Sequence, residues 1–261
     1  MTEEPAGEGE LTAPVRLAVD GGAGISADDA VTLLSAGELS IEGRVMDASN
    51  ATFYCGVTFD SASAACVYKP VAGERPLWDF PTGTLAEREV AAYEVSAASG
   101  WAIVPPTVYR EGPAGPGMVQ LWVEIDESID IARFMRRRDM ERLREIAVFD
   151  AVINNADRKG GHLLPTDDGH VYGIDHGVTF SVEDKLRTVL WQWAGARLTG
   201  HALDALGRLR TELDGALGER LAALLTRHEV RSTRSRVDRL LSTGRHPQPG
   251  GDWPAVPWPP I

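Results

Sequence analysis

The stretch Phe149 to Phe180 reads FDAVINNADRKGGHLLPTDDGHVYGIDHGVTF, and its changes of pattern decide the fold. An apolar helical run gives way to a polar, Gly-rich loop, then to a short apolar strand, a turn, and a second strand ending in Asp175-His176-Gly177. Two carboxylates, Asp157 and Asp175, therefore stand at the exits of regular elements. Loops carried by rigid flanks are where chemistry concentrates, and this one gathers Asp, Arg, Lys and His within a few positions.

Upstream, Leu143, Ile146, Ala147, Asp150, Ala151, Ile153 and Asn154 follow helical spacing, so a helix opened by Asp139 delivers the chain into the loop. Before it, Arg133 and Arg136 to Arg138 form a basic run, read either as solvated helix surface or as a site for an anionic substrate. The strand pattern ends at Glu124. Val123 to Asp126 is the expected hinge between two lobes, with a backbone able to hydrogen-bond an adenine edge. Thr107 to Arg110 and Gly117 to Glu124 read as strands around a Gly/Pro turn, with Met118, Leu121 and Val123 in the core. Gly100 ends a helix that Thr84 and Glu87 open as a capping box. Glu89, on that helix with Ala92, Tyr93 and Ser96 at helical spacing, is set either to meet Lys69 across a sheet-helix interface or to stay exposed.

Further upstream the pattern predicts three antiparallel strands, about Leu39 to Met46, Thr52 to Phe59 and Ala65 to Pro70, with turns at Asp47 to Asn50 and Asp60 to Ser63. The hairpin Gly43 to Asn50 either covers phosphates with backbone N–H groups or is an ordinary turn, since it carries no G-x-G-x-x-G or Walker pattern. Lys69 closes the third strand, as a solvated edge residue or as a ligand. A short helix is expected over Ala30 to Leu34, capped by Asp28 or Asp29 and stopped by Gly37; Met1 to about Ser26 reads as a mobile arm in which Val15 to Val19 could add an edge strand. Downstream, Lys185 to Leu190 is expected to be helical, and Gly195 to Leu241 to hold two or three helices with breaks near Gly200, Gly215 to Gly218 and Glu229. From Gly244 the tail is polyproline-like, and its two tryptophans could dock on the body or on a partner. The expected organisation is α+β: the arm at 1–26, an antiparallel-sheet N-lobe with a helix at 27–125, a mainly helical C-lobe at 126–243, and a Pro/Trp-rich tail at 244–261.

Composition limits the partners. With 261 residues, 43% of them hydrophobic, the chain can bury a full core. A net charge of −12 disfavours nucleic acid and anionic membrane surfaces. No apolar run approaches the roughly 18 residues of a membrane span and the N-terminus lacks signal-peptide order, so a cytoplasmic protein is expected. The two cysteines, Cys55 and Cys66, read as free buried thiols on neighbouring strands.

Phosphoryl transfer requires a lysine on the phosphates, an acid to orient it, a base near the attacking hydroxyl, and oxygen ligands for Mg²⁺ or Mn²⁺. Lys69, Glu89, Asp157 and Asp175 supply these in that order along the chain. Asn155-Ala-Asp157-Arg158 and Gly173-Ile-Asp175-His-Gly177 resemble the N-x-D-R and I-D-x-G signatures of the phosphatidylinositol 3-/4-kinase-like superfamily, especially the type II phosphatidylinositol 4-kinases. They are also similar to HipA-type protein kinases and Fam20-like secretory-pathway kinases. Lys69-Pro70, Glu89 to Tyr93 and Val104 to Thr107 extend the match over about Leu39 to Phe180, within an actinobacterial branch of the group.

The resemblance implies a bilobal protein-kinase-like fold that binds ATP and transfers its γ-phosphate to a hydroxyl of a protein, a small molecule or a lipid. It implies Asp157 as catalytic base, Asn155 as a brace of the loop, and Arg158 as a holder of the loop or a neutraliser of phosphate. It further implies Lys69 as the phosphate lysine with Glu89 as its partner, Val123 and Glu124 on the adenine edge, and Asp175 as metal ligand. One position departs: the lipid kinases carry a metal-binding Asn where this chain has His162, a softer donor that suits Mn²⁺ better than Mg²⁺. His162 thus points to Mn²⁺ preference, a one-metal mechanism, or lost activity. The alternatives are a pseudokinase that binds nucleotide without transfer, nucleotidyl transfer by the same residues, and a metal-assisted hydrolase built on His162, His170, Asp175 and His176.

Overall fold

The computed structural model describes residues 25–45, 50–250 and 254–261. The expected arm through residue 24, the strand at Val15 to Val19, most of the turn Asp47 to Asn50, and Trp253 lie outside the described residues.

Strands β1 (Glu38–Arg44), β2 (Phe53–Phe59), β3 (Ala62–Pro70), β4 (Thr107–Gly112) and β5 (Gly115–Leu121) form one antiparallel sheet in the order β1-β2-β3-β5-β4. Side chains alternate between faces along a strand, so the two faces of this sheet carry different neighbours. Cys66 and Tyr68 of β3 and Val119 and Leu121 of β5 pack with Ala30, Leu33 and Leu34 of helix α1 (Ala27–Ala36). The next residue of β3, Lys69, opposite Met118 in the register, faces the other way, where Met118 packs on Ala86 and Val90 of helix α2 (Leu85–Ser99). Cys55 and Cys66 are direct cross-strand partners, both buried and both free.

Two caps differ from expectation. Helix α1 is capped by Ser26, whose Oγ accepts from the Asp29 N–H at 3.1 Å. Helix α2 has no capping box: the Thr84 hydroxyl donates to the Pro81 carbonyl, and the Glu74 carboxylate accepts from the Leu85 and Ala86 N–H groups at 3.2 and 2.9 Å. An anion from the preceding turn thus meets the positive end of the helix dipole. Gly100 ends α2 in the left-handed region, as a C-terminal glycine does.

Beyond β5 come α3 (Ile131–Phe134), α4 (Glu141–Ile153), the two-stranded β6 (Leu163–Pro165) and β7 (Val171–Gly173), then α5 (Gly200–Glu212), α6 (Ala216–Leu224) and α7 (Arg227–Thr243). Leu143, Ile146, Phe149 and Val152 of α4 share one core with Leu206 and Leu209 of α5 and Val237 and Leu240 of α7. Helix α2 joins the two halves: Ala91, Ala92 and Val95 belong to this same core, and buried Arg88 bonds Glu229 of α7 at 2.5 Å and the Thr179 carbonyl at 2.6 Å. The break expected near Glu229 falls earlier, because Thr226 and Glu229 form the capping box of α7.

Two further expectations are corrected, and the tail takes one of the two placements expected for it. Asp139 does not open α4; its carboxylate is held by Arg137 at 3.0 and 2.7 Å, and the helix starts at Glu141. Residues 185–190 are not helical, because Arg187 and Val189 donate their N–H groups to the Asn155 and Arg158 carbonyls at 2.9 and 3.1 Å. The tail residues 254–261 dock on the body, with Ala255 O accepting from Thr188 N–H and Trp191 Nε1–H, and Pro260 O from Gly160 N–H, while Trp258 stays exposed. Among the described residues no helix is long and apolar enough to cross a membrane.

Candidate active site

The loop Asn155 to His162 is shaped from below by one carboxylate. Asp150 has no exposed surface, and it accepts from Arg158 Nε at 3.1 Å, from Arg158 Nη2 at 2.9 Å and from Asn155 Nδ2 at 3.0 Å. Asn155 Oδ1 in turn accepts the Asp157 N–H at 2.9 Å. The Arg158 guanidinium is fully buried and also donates to the Ile174 and His162 carbonyls at 3.1 and 3.3 Å, tying the loop to the end of β7. Arg158 does not line the cavity of the cleft, and its bonds run to Asp150 and to the loop and β7 backbone. Sequence reading took Asp150 as part of a helical stripe. The available signal was a carboxylate at an apolar-spaced position, which requires a buried partner.

From the other side come Lys69 and Glu89. Sheet alternation turns Lys69 toward α2, where its ammonium bonds Glu89 Oε1 at 2.8 Å and also contacts Asp175 Oδ1. Glu89 is buried, and its second oxygen accepts the His176 N–H at 2.7 Å. Burial alone would push the Lys69 ammonium down, but Asp175 and Glu89 outweigh it and hold it above the usual lysine range. The Lys69 charge holds the Asp175 carboxyl well below the usual carboxylate range, against the opposing effect of burial. Backbone strain collects here as well: Asn154, Asp175 and Phe180 are non-glycine residues at φ of 53°, 60° and 62°.

Between these groups lies a cavity of about 250 Å³, whose lining includes Lys69, Glu89, Asp157, His162 and Asp175 together with Thr52, Glu74, Arg75, Leu77 and Val178. Val123 and Glu124 do not line it. Val123 is buried in the sheet core and Glu124 is exposed, while the flanking Trp122 and Asp126 N–H groups are spent on the Ala65 and Pro165 carbonyls. Asn50 also lines the cavity, its Oδ1 accepting the Arg75 N–H at 2.9 Å, at the end of the first hairpin.

His162 Nε2 lies 3.4 Å from Asp175 Oδ2, and burial pushes this imidazole below its usual pKa. A carboxylate and a neutral ring nitrogen on one wall are a donor set that fits a divalent cation. Asp157 lines the same cavity, with Lys159 Nζ at 3.0 Å. The remaining histidines do not converge on the pair. His170 Nε2 donates to the Ala102 carbonyl at 2.9 Å with its ring beside Tyr172, and the His176 side chain is fully buried. Arg133 and Arg136 to Arg138 are exposed.

No family model matches the chain. Its fold is shared by two crystal structures of the Golgi casein kinase. One superposes with a TM-score of 0.54 at 14% identity, covering 83% of this chain and 75% of that one. The other, with Mn/ADP bound, superposes with a TM-score of 0.53 at 16% identity over the same shares. The architecture is thus kinase-like, an antiparallel-sheet N-lobe and a helical C-lobe. In sequence the chain is 46% identical over 266 residues to Protein Rv2133c of Mycobacterium tuberculosis, an alignment that covers 89% of this chain and 95% of that protein. At that identity and coverage, the chain belongs to the family of Protein Rv2133c.

Proposed function

We propose that the cleft binds ATP and transfers its γ-phosphate to a hydroxyl group, as an atypical kinase of the phosphatidylinositol 3-/4-kinase-like group. One observation carries the reading: Lys69 is held by both Glu89 and Asp175 in a cavity that Asp157 also lines. A lysine fixed by an acid from the neighbouring helix is poised to bind phosphate oxygens, and Glu89 keeps it there by accepting one of its three N–H bonds. Asp157 takes the proton of the substrate hydroxyl as its oxygen forms a bond to the γ-phosphorus; the bond from that phosphorus to the bridging oxygen breaks and ADP leaves. Asn155 orients Asp157 through its backbone N–H, and Arg158 fixes the loop. Asp175 and His162 would hold Mg²⁺ or Mn²⁺, which neutralises phosphate charge when bound. The Golgi casein kinase, which shares the fold, has been crystallised with Mn/ADP bound, and this supports a nucleotide with a divalent cation here. The net charge of −12 favours a protein or small-molecule hydroxyl over a lipid at an anionic surface.

The test is incubation of the purified chain with γ-labelled and, separately, α-labelled ATP, with Mg²⁺ or Mn²⁺, alone and with cell lysate. Label transferred from the γ position, and lost in Asp157→Ala and Asp175→Ala, is the expected result. Transfer from the α position would replace the reading with nucleotidyl transfer. A second reading, nucleotide binding without transfer, draws on His162 standing at the position of the lipid kinases' metal-binding amide. ATP binding with no label transferred under either metal would select it.

A further inference from the structure

His176 has no exposed surface and is one residue beyond Asp175, yet the phosphotransfer reading gives its side chain no task. Its surroundings fix its chemistry. Arg158 Nη2 lies 2.7 Å from His176 Nε2, and a guanidinium has only donors, so Nε2 accepts. The ring proton is therefore on Nδ1. That buried nitrogen has no hydrogen-bond partner within bonding distance; the closest acid across from it is Glu89, with Oε2 at 3.9 Å. Phe149 stands edge-on to the ring at 5.7 Å between centroids and limits its tilt.

The ring thus stands between two groups that approach the cleft from opposite sides. On one side is Glu89, which holds Lys69; on the other is Arg158, which with Asp150 and Asn155 holds Asp157. A chain of polar contacts runs from Lys69 through Glu89, the His176 backbone N–H, the His176 ring, Arg158, Asp150 and Asn155 to the Asp157 backbone, and His176 joins its two ends. The Glu89 end is partly secured without the ring, because Oε2 already accepts the His176 backbone N–H. At the Arg158 end the ring Nε2 accepts from Nη2, which also donates to Asp150, while Nη1 donates to the Ile174 and His162 carbonyls.

Resting on the phosphotransfer reading, we propose that His176 is a positioning residue that sets the lysine-glutamate pair and the Asp157 loop in register through its Nε2 acceptor for Arg158. It touches neither nucleotide nor acceptor substrate. Its effect falls on the alignment of Asp157 with the phosphorus, so it belongs to kcat more than to nucleotide affinity.

Three measurements on the full chain decide this. Long-range ¹H–¹⁵N spectra of the wild-type protein report the tautomer directly, and a ring protonated on Nδ1 alone is expected; an Nε2–H tautomer would overturn the proposal. His176→Leu fills the space without an acceptor and should lower kcat by about tenfold to a hundredfold, with KM for ATP changed less than about threefold. His176→Gln carries an amide oxygen near the Nε2 position and should recover most of that loss. Equal losses in the Leu and Gln variants, or a loss seen only in KM, would reduce His176 to a packing residue. Should the Leu variant fail to unfold cooperatively, the Gln variant and the spectra decide alone: Gln at near wild-type kcat with an Nδ1–H ring supports the role, and Gln with a tenfold loss overturns it. A wild-type chain that transfers no label overturns the reaction reading itself, and this role with it, whereas an active wild type with unaffected variants overturns only the role of His176.

Discussion

Arg158 and Asp150 form an ion pair in which neither side chain has any exposed surface, the guanidinium donating through both Nε and Nη2 to the carboxylate. Such a pair adds little net stability over an apolar replacement, but breaking it strands a charge. Asp150→Ala should therefore destabilise the protein by about 3–5 kcal/mol, read from urea unfolding. A loss below about 1 kcal/mol would mean that Arg158 finds water or another acceptor.

Asp157 presents the opposite case. It is half-buried, and its side chain pairs with the flexible Lys159 ammonium at 3.0 Å. Asp157→Asn should leave stability within about 0.5 kcal/mol of wild type, as substitutions away from buried networks do. Label transfer from γ-ATP should fall by about 10²- to 10⁴-fold, the usual contribution of a general base. A variant that keeps its transfer rate would remove Asp157 from the chemistry.

The first three antiparallel strands, the place of Lys69 at the end of β3 and the loop between α4 and β6 were legible because each rests on a local pattern: alternation in β3, helical spacing in α4, and Gly-rich polar sequence in the loop. What was not legible depends on residues far apart in the chain. Nothing in residues 185–190 announces that their N–H groups will pair with the Asn155 to Arg158 backbone; a short run with helical propensity loses to these tertiary bonds. The capping box at Thr84 failed for a similar reason, since Glu74 arrives from the preceding turn and occupies the first helical N–H groups. The hinge at Val123 and Glu124 was inferred from a change of pattern, which marks where elements end but not which backbone donors remain available.

That observation about α2 is testable. Glu74→Ala should cost about 1 kcal/mol, in line with loss of a helix cap, while Thr84→Ala should cost less because the Thr84 hydroxyl bonds the Pro81 carbonyl and Arg88 Nε but none of the first helical N–H groups. Thermal unfolding of both variants distinguishes the two caps. A larger loss at Thr84 would restore the capping box.

His246 supplies a pH dependence. Burial, with Arg144 donating to Nε2 at 3.2 Å, pushes this imidazole down to about 4. Its ordinary value is about 6.5. Between those two pH values the unfolded chain binds a proton that the native state excludes, so stability is unaffected above about pH 7 and falls as the pH drops from 6.5 toward 4. His246→Gln keeps an acceptor for Arg144 and removes the titration. Its melting temperature should fall less steeply than that of wild type over this range; parallel slopes would refute the assignment.

The metal question reduces to His162. Its Nε2 is 3.4 Å from Asp175 Oδ2, close enough for one ion to draw on both, and the ring lines the cavity with Lys69 and Asp157. An imidazole nitrogen is a softer donor than an amide oxygen, and along the divalent series it favours Mn²⁺ over Mg²⁺. His162→Asn supplies the oxygen donor found in the lipid kinases at a shorter reach. The ratio of activity with Mg²⁺ to activity with Mn²⁺ should therefore rise in this variant, by about threefold to tenfold if the ligand change is worth about 1 kcal/mol. The ratio is the informative quantity, because a variant that merely loosens the 3-10 turn at Gly160–His162 lowers both activities together and leaves it unchanged. An unchanged ratio would remove His162 from the metal site and leave Asp175 as the ligand that this wall of the cleft provides.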